Sequence, residues 1–377
     1  MSDEKEMTAL ESSVGADGEQ SSQKCNDDII PDETADYNSF DEDFDEWTDF
    51  PDGTRLSTMT MDELYDTAFE TRPPLIDGFL YPGTYLFAGA PKYGKSFLSL
   101  QIAYHVSTGK PLWDLETSQG TVLYLALEDT FQRLQKRSYR MFGTESTPDL
   151  HFAVLANKAG AGLNDQLQSF IDEHPKTRLI IIDTLQRIRA DNLEKSTYAA
   201  DYDVVVQLKE FVDRNRLCLL LVHHTRKQKA KDIYEEISGT QGLFGAADGA
   251  ILFYKESRIS DYAQVNVTGR DQPDQIIDIV RDDDTLTWSF VVVETDLWQE
   301  PSEPILEALS AWLHEYGREW TGTATELAAL LDTDLKPNKL STKLNVHADK
   351  LLKEYGIAYR NTRTHDGRRI TLCLTEA

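Results

Sequence analysis

The sequence predicts an α/β protein built on a mainly parallel sheet with helices on both faces. Three observations carry that prediction. Between residues 84 and 222, strand-length aliphatic runs alternate with helical patterns, as in successive β-α-β units. The runs are apolar throughout rather than alternating, as strands covered on both faces are. Polar and charged residues follow directly on their carboxyl ends, where open parallel sheets gather ligands.

The first run is Thr84-Tyr85-Leu86-Phe87-Ala88, and Gly89-Ala90-Pro91-Lys92-Tyr93-Gly94-Lys95-Ser96 follows it. This stretch fits the phosphate-loop pattern G-x-x-x-x-G-K-[ST]. Phe97-Leu98-Ser99-Leu100-Gln101-Ile102-Ala103 then reads as a helix. Strand, Gly-rich turn and helix are the context the motif requires. Glycines let backbone N–H groups close around phosphate oxygens, and the helix start adds its positive end. The expected nucleotide-binding residues are therefore Gly89 to Ser96, with Phe97 beside them. Lys95 reaches toward the β- and γ-phosphates of ATP, and the Ser96 hydroxyl is a ligand for Mg²⁺.

Upstream, a short helix is expected at 61–69, ended by Pro73-Pro74. Downstream, the helix after the loop stops near Gly109-Lys110-Pro111. Further buried strands are expected at 121–127, 152–155, 179–182 and 217–222, with helices at 131–137 and 198–214. Three more strands, 249–254, 264–267 and 285–293, read as antiparallel additions to the sheet edge.

The chain has 377 residues and 40% apolar content, room for two domains and a tail. Three segments are expected: a disordered acidic tail over 1–53, an ATPase domain over 54–300, and a small C-terminal domain over 301–377. The tail holds 18 Asp/Glu against 2 Lys/Arg, so −16 of the chain's net charge of −27 lies there. Whole-chain charge therefore says little about any local groove. Residues 40–50 alternate acids with Phe40, Phe44, Trp47 and Phe50. They read as a solvated linker, a docking motif for a protein partner, or a polyanion competing with DNA. Beyond Pro301-Ser302-Glu303-Pro304, helices at 305–316, 324–331 and 338–354 precede a hairpin turning at His365-Asp366-Gly367. This order suggests a winged-helix-like module for DNA or protein. The separated Cys25, Cys218 and Cys373 suit a reduced, cytoplasmic protein, and no apolar run reaches the roughly 20 residues of a membrane span.

The strand ends supply the remaining chemistry. Asp183 closes an aliphatic run after the phosphate loop, where a second Mg²⁺-holding carboxylate belongs. Glu128 closes the run before it and is the candidate general base, with Asp129 as its competitor or a helix cap. His223 and His224 end another run. Adjacent strand residues point to opposite faces, so a metal pair is disfavoured and one of them, His224 or His223, reads as a γ-phosphate sensor. Arg270 is the candidate arginine finger, supplied by a neighbouring subunit, with Arg258 the weaker rival. Arg226, Lys227, Lys229 and Lys231 follow the histidines as candidate DNA contacts.

In order, the motifs are GAPKYGKS, YLALEDT, LIIIDTLQRIR, LLLVHHTRK, ISGTQGLFGAAD and GRD. The set resembles the RecA-like ATPases of the RepA and DnaB helicase group, above all RepA-type ATPases of plasmids, phages and other mobile elements. The resemblance covers roughly residues 75–295. It implies a RecA-like fold, ATP and Mg²⁺ as cofactors, and rings with active sites between subunits, such as hexamers. It makes Glu128 the catalytic carboxylate, Asp183 the Walker B residue, and the ISGT segment a central-channel DNA loop. The expected function is a Mg-ATP-dependent ring ATPase on single-stranded DNA, a replicative helicase of a mobile element. The alternative is an ATP-switched DNA-binding, loading or recombination-mediator factor without unwinding.

Overall fold

The computed structural model describes residues 58–69, 73–189, 197–225, 241–270, 272–293, 303–364 and 367–375. The acidic tail with its 40–50 run lies outside them, as do Arg226, Lys227, Lys229 and Lys231 and the ISGT segment. Residue contacts divide the chain into two units. One spans 72–300; the other joins 301–377 to the first 71 residues.

The first described element is α1 (Met61–Asp66), opened by a capping box between Thr60 and Glu63. Then comes the unit of residues 72–300, which opens with β1 (Gly83–Gly89), α2 (Lys95–Thr108) and β2 (Thr121–Ala126). It continues through α3 (Phe131–Phe142), β3 (Leu150–Ala153), α4 (Leu163–Glu173) and β4 (Thr177–Asp183). Next are α5 (Leu185–Ile188), α6 (Thr197–Arg214), β5 (Cys218–His224) and α7 (Gln241–Ala246). The strands β6 (Gly249–Tyr254), β7 (Tyr262–Gly269), β8 (Gln275–Arg281) and β9 (Trp288–Val293) complete it. They make one nine-stranded sheet in the order β3-β2-β4-β5-β1-β6-β7-β8-β9. The β3 to β6 half is parallel throughout, with β1 between β5 and β6.

Successive residues of the parallel strands serve opposite faces. Phe87, Tyr124, Ile181 and Leu220 pack with Leu98, Ile102 and Val106 of α2. Their neighbours Leu86, Ile180, Ile182 and Leu221 pack with Val205, Leu208 and Val212 of α6. Each such side chain contributes roughly 1.5–3 kcal/mol by burial, which is why the aliphatic stretches of these strands carry no charged residue until they end. The ends coincide: Ala126 sits opposite Asp183, Asp183 opposite Val222, and Gly89 opposite His224. One sheet edge thus collects the phosphate loop and the residues that follow β2, β4 and β5.

Four features stand out as departures from the sequence reading. The strand at 249–254 is not an antiparallel addition: β6 runs parallel to β1. The short helix α7, hidden in the Gly-rich QGLFGA, precedes it, and the antiparallel extension begins only at β7. Strand β8 escapes the sequence reading because QIIDIVR breaks its apolar run with Asp278; it buries alternate residues instead. Helix α4 escapes it because among its eleven residues only Leu163 and Leu167 are buried.

The second unit holds α8 (Pro304–Tyr316), β10 (Glu319–Gly322), α9 (Ala324–Leu330), α10 (Pro337–Val346) and α11 (Ala348–Tyr355). The hairpin β11 (Ile357–Thr364) and β12 (Gly367–Leu374) joins β10 in an antiparallel sheet ordered β10-β12-β11. Its core centres on Leu306, Leu313, Trp320, Leu344, Ile357 and Leu372. The expected helix 338–354 is two helices that meet at His347, whose φ of −109° and ψ of 27° leave the helical region. Helix α1 belongs with this unit rather than with the ATPase segment assigned to 54–300. None of its residues is buried, and its polar partners are here: Asn345 donates to the Tyr65 carbonyl at 2.9 Å, and Arg368 pairs with Asp66 at 2.6 Å.

Candidate nucleotide site at the carboxyl edge of the sheet

The loop between β1 and α2 owes its shape to close packing from below. A Cβ on Gly89 would stand 2.5 Å from the Phe253 carbonyl oxygen of β6. Gly94 has φ of +115°, and a Cβ there would meet the Trp288 ring at 2.8 Å. Only glycine satisfies both positions. Lys92 also takes a positive φ, 67°. Gly94 is the N-cap of α2 and offers no side chain to its first turn, so the amides there face the loop. Gly94→Ala combines an unfavourable φ with a collision against a fully buried indole. It should cost about 1–3 kcal/mol, lowering Tm by several degrees and weakening nucleotide binding. A melting curve and a titration with ATP check this; an unchanged Tm would contradict the contact with Trp288.

Lys95 is only 5% exposed. Its ammonium donates to the Gly89 carbonyl at 2.7 Å and the Ala90 carbonyl at 3.0 Å, and lies 3.4 Å from His224 Nδ1. Burial lowers its pKa to about 8 against the opposing pull of Asp183 and Glu128. Ser96 Oγ donates to Asp183 Oδ2 at 2.6 Å, and the Tyr124 hydroxyl donates to the same oxygen at 3.1 Å. Burial pushes the Asp183 carboxyl up, and these two hydrogen bonds oppose it. A hydroxyl and a carboxylate meeting beside the loop are the hard oxygen donors that suit Mg²⁺.

Glu128 and Asp129 have different surroundings. Asp129 is 12% exposed and engaged: it pairs with Arg137 at 2.7 Å and Arg133 at 3.6 Å and accepts the Thr130 N–H at 3.1 Å. Glu128 is 46% exposed, with Arg187 Nε at 3.4 Å. Its charge is felt by Lys95, Asp183 and His224 alike. The two histidines also part. His223 is buried in the sheet, while His224 faces Lys95. Burial first, then the neighbouring ammonium, lowers the His224 pKa.

Arg270 is not brought to this edge. Its backbone N–H donates to the Asp248 carbonyl at 2.9 Å and its guanidinium lies 3.6 Å from the Asp248 carboxylate. Asp248 in turn accepts the Thr84 N–H at 2.9 Å, at the beginning of β1. Five strand steps of about 3.3 Å separate Thr84 from Gly89, so the Arg270 backbone lies roughly 17 Å from its own phosphate loop. Arg258, the rival, is in the turn between β6 and β7.

Four participants carry no clear signal in the sequence. Tyr124 holds Asp183, and its position four residues before Glu128 on an apolar strand gives no sign of it. Arg187 stands in LQRIR without an assigned role. Trp288 braces the loop, and its backbone is held through Gln101. Arg137 lies over the Phe97 ring at 5.0 Å, joining α3 to the start of α2.

Residues 51–230 match a family model described as an AAA domain. This segment carries the AAA domain of an ATPase. The phosphate loop, Glu128, Asp183 and both histidines of this ATPase fall inside the match; ISGT and Arg270 lie beyond it. Among solved structures, the chain is similar to an isolated ATPase domain, with 15% identity and a TM-score of 0.48. That match covers 56% of this chain and 85% of the other. It is also similar to a DnaB-like replicative helicase solved to show its interactions with primase. There the identity is 15%, the TM-score 0.49, and coverage 60% of this chain and 66% of the other. No curated protein matches it. Among the described residues, no helix of the ATPase is long and apolar enough to cross a membrane.

Proposed function

We propose that this ATPase assembles into a ring, a hexamer on the family pattern, and works with Mg-ATP on single-stranded DNA. We take it as a replicative helicase of a mobile element. The observation that carries this reading is the end of β5. His224 stands 3.4 Å from Lys95, the Thr225 N–H donates to the Gly89 carbonyl at 3.3 Å, and Arg226 and Lys227 follow at once. Events at the phosphate loop are one or two residues from a basic segment suited to DNA phosphates.

In this mechanism Lys95 exchanges its two carbonyl partners for the β- and γ-phosphates. Ser96 and Asp183 would hold Mg²⁺, which when bound neutralises charge on those phosphate oxygens. Glu128 accepts the proton of the attacking water at its carboxylate, and Arg187 fixes its orientation. Asp129, committed to two arginines, keeps α3 in place. His224 shares its edge of the loop with Lys95 and reports whether the γ-phosphate is there. Arg270 serves the site of the next subunit.

Replacing Lys227, Lys229 and Lys231 together with Ala tests the DNA half of the reading. Single-stranded DNA binding should weaken, its salt slope falling by up to about 0.7 per lost phosphate contact, and stimulation of hydrolysis by DNA should drop while ATP binding survives. Unchanged affinity, slope and stimulation would remove DNA from this loop. A strand-displacement assay on the parent protein then separates a helicase from a loader or mediator: DNA-stimulated hydrolysis without displacement favours the latter.

A further inference from the structure

The C-terminal unit presents a basic face that the ATPase reading does not use. Lys336, Asn338 and Lys339 are exposed at the start of α10, and Thr342 continues their line one turn on. The adjoining hairpin exposes Arg360, Arg368 and Arg369. A helix that leads with such donors fits a duplex major groove about 12 Å wide, with the hairpin against the flanking phosphates. Asn345 forms the joint between the two. Its Oδ1 accepts from the Tyr359 hydroxyl at 2.6 Å and from Asn361 at 3.0 Å.

Helix α1 is seated across that joint. Asn345 donates to the Tyr65 carbonyl, and Arg368 is taken by the Asp66 carboxylate. Helix α1 carries Asp62, Glu63 and Asp66 and no basic residue, and it buries none of its side chains. Its described polar anchors are thus the kind that a phosphate can replace: a guanidinium bound to an anion, and an amide bound to an oxygen. The chain upstream of it is the most acidic part of the protein.

We propose that the C-terminal unit binds duplex DNA through α10 and the β11–β12 hairpin, and that α1 is an acidic strap competing with DNA for Arg368 and Asn345. This does not rest on the ATPase reading. It assigns the unit a ligand of its own and makes the first described helix a brake on that ligand.

The test is anisotropy of a labelled blunt 20-base-pair duplex against the full chain without nucleotide, over a salt series. Lys336→Ala with Lys339→Ala should weaken binding about tenfold and lower the salt slope by about 0.9 per lost contact. Asp66→Lys should do the reverse, tightening binding at least about threefold as the strap is repelled from Arg368. The circular-dichroism spectrum and melting curve of each variant should match the parent's, which shows that the C-terminal unit still folds. Unchanged affinity in the lysine variant would overturn the site, and would instead fit duplex held by the 226–231 segment. A neutral Asp66→Lys would overturn the strap. No duplex binding by either the parent or Asp66→Lys would overturn both and leave a protein surface.

Discussion

Glu128→Gln should bind Mg-ATP as the parent does and turn it over at least about 100-fold more slowly, the loss expected when a general base is removed. The amide keeps the shape of the carboxylate and the approach of Arg187 at 3.4 Å, but it cannot take a proton from water. Asp129→Asn should behave differently. It breaks ion pairs to Arg137 and Arg133 at the root of α3, so it should lower stability and disturb the Arg137–Phe97 contact rather than abolish turnover. Single-turnover hydrolysis and calorimetric ATP binding, measured side by side, distinguish them. If Asp129→Asn alone stops turnover while binding persists, the two carboxylates have been assigned the wrong way round.

The legibility of this pair marks where sequence reading works and where it stops. Both residues can be placed at the end of β2 because an apolar run has to end in polar residues at the sheet edge. Which of them is engaged depends on Arg133 and Arg137, one and two turns along a helix. That is a contact pattern the sequence permits without announcing. The same holds for the histidines: period-two alternation says that they face opposite ways, and the register Gly89 to His224 decides which one meets Lys95.

The parallel half of the fold is readable because burial on two faces leaves long aliphatic runs. The antiparallel half is readable only in part: β7 and β9 show as strands, but β8 buries only alternate residues and carries Asp278 within it. Trp288 shows the cost of that gap. A tryptophan in a late strand reads as generic core, yet its ring meets the position where a Gly94 Cβ would be. The brace of the phosphate loop comes from a strand nearly two hundred residues further along the chain. Helix α1 is misplaced by sequence for a related reason. Its partners, Asn345 and Arg368, are polar and distant in sequence, and nothing in its own pattern points to them.

Arg270→Ala should leave ATP binding intact and depress hydrolysis by up to about 10³-fold, the scale of a lost arginine finger. The local structure makes this a clean experiment. Arg270 is 60% exposed and stands 3.6 Å from Asp248, so the pair contributes about 0–1 kcal/mol. Asp248 also keeps Lys209 at 2.5 Å and the Thr84 N–H at 2.9 Å without it. Loss of the guanidinium should therefore barely move Tm, and a large kinetic defect could not be put down to damaged folding. Nor could it act on the phosphate loop of its own chain, roughly 17 Å away along β1. The arginine has to reach the active site of a neighbour or it has no part in hydrolysis. Mixing Arg270→Ala with Lys95→Ala protomers decides which. An Arg270→Ala protomer still owns an intact phosphate loop, and beside a Lys95→Ala protomer it borrows an intact arginine, so mixed assemblies should recover activity that neither variant shows alone. If Arg270→Ala hydrolyses ATP at the parent rate, the residue is an ion-pair partner of Asp248 and the finger must be sought elsewhere, beginning with Arg258 in the β6–β7 turn. A defect that no mixing ratio repairs would argue against sites shared between subunits, and the ring would lose its catalytic rationale.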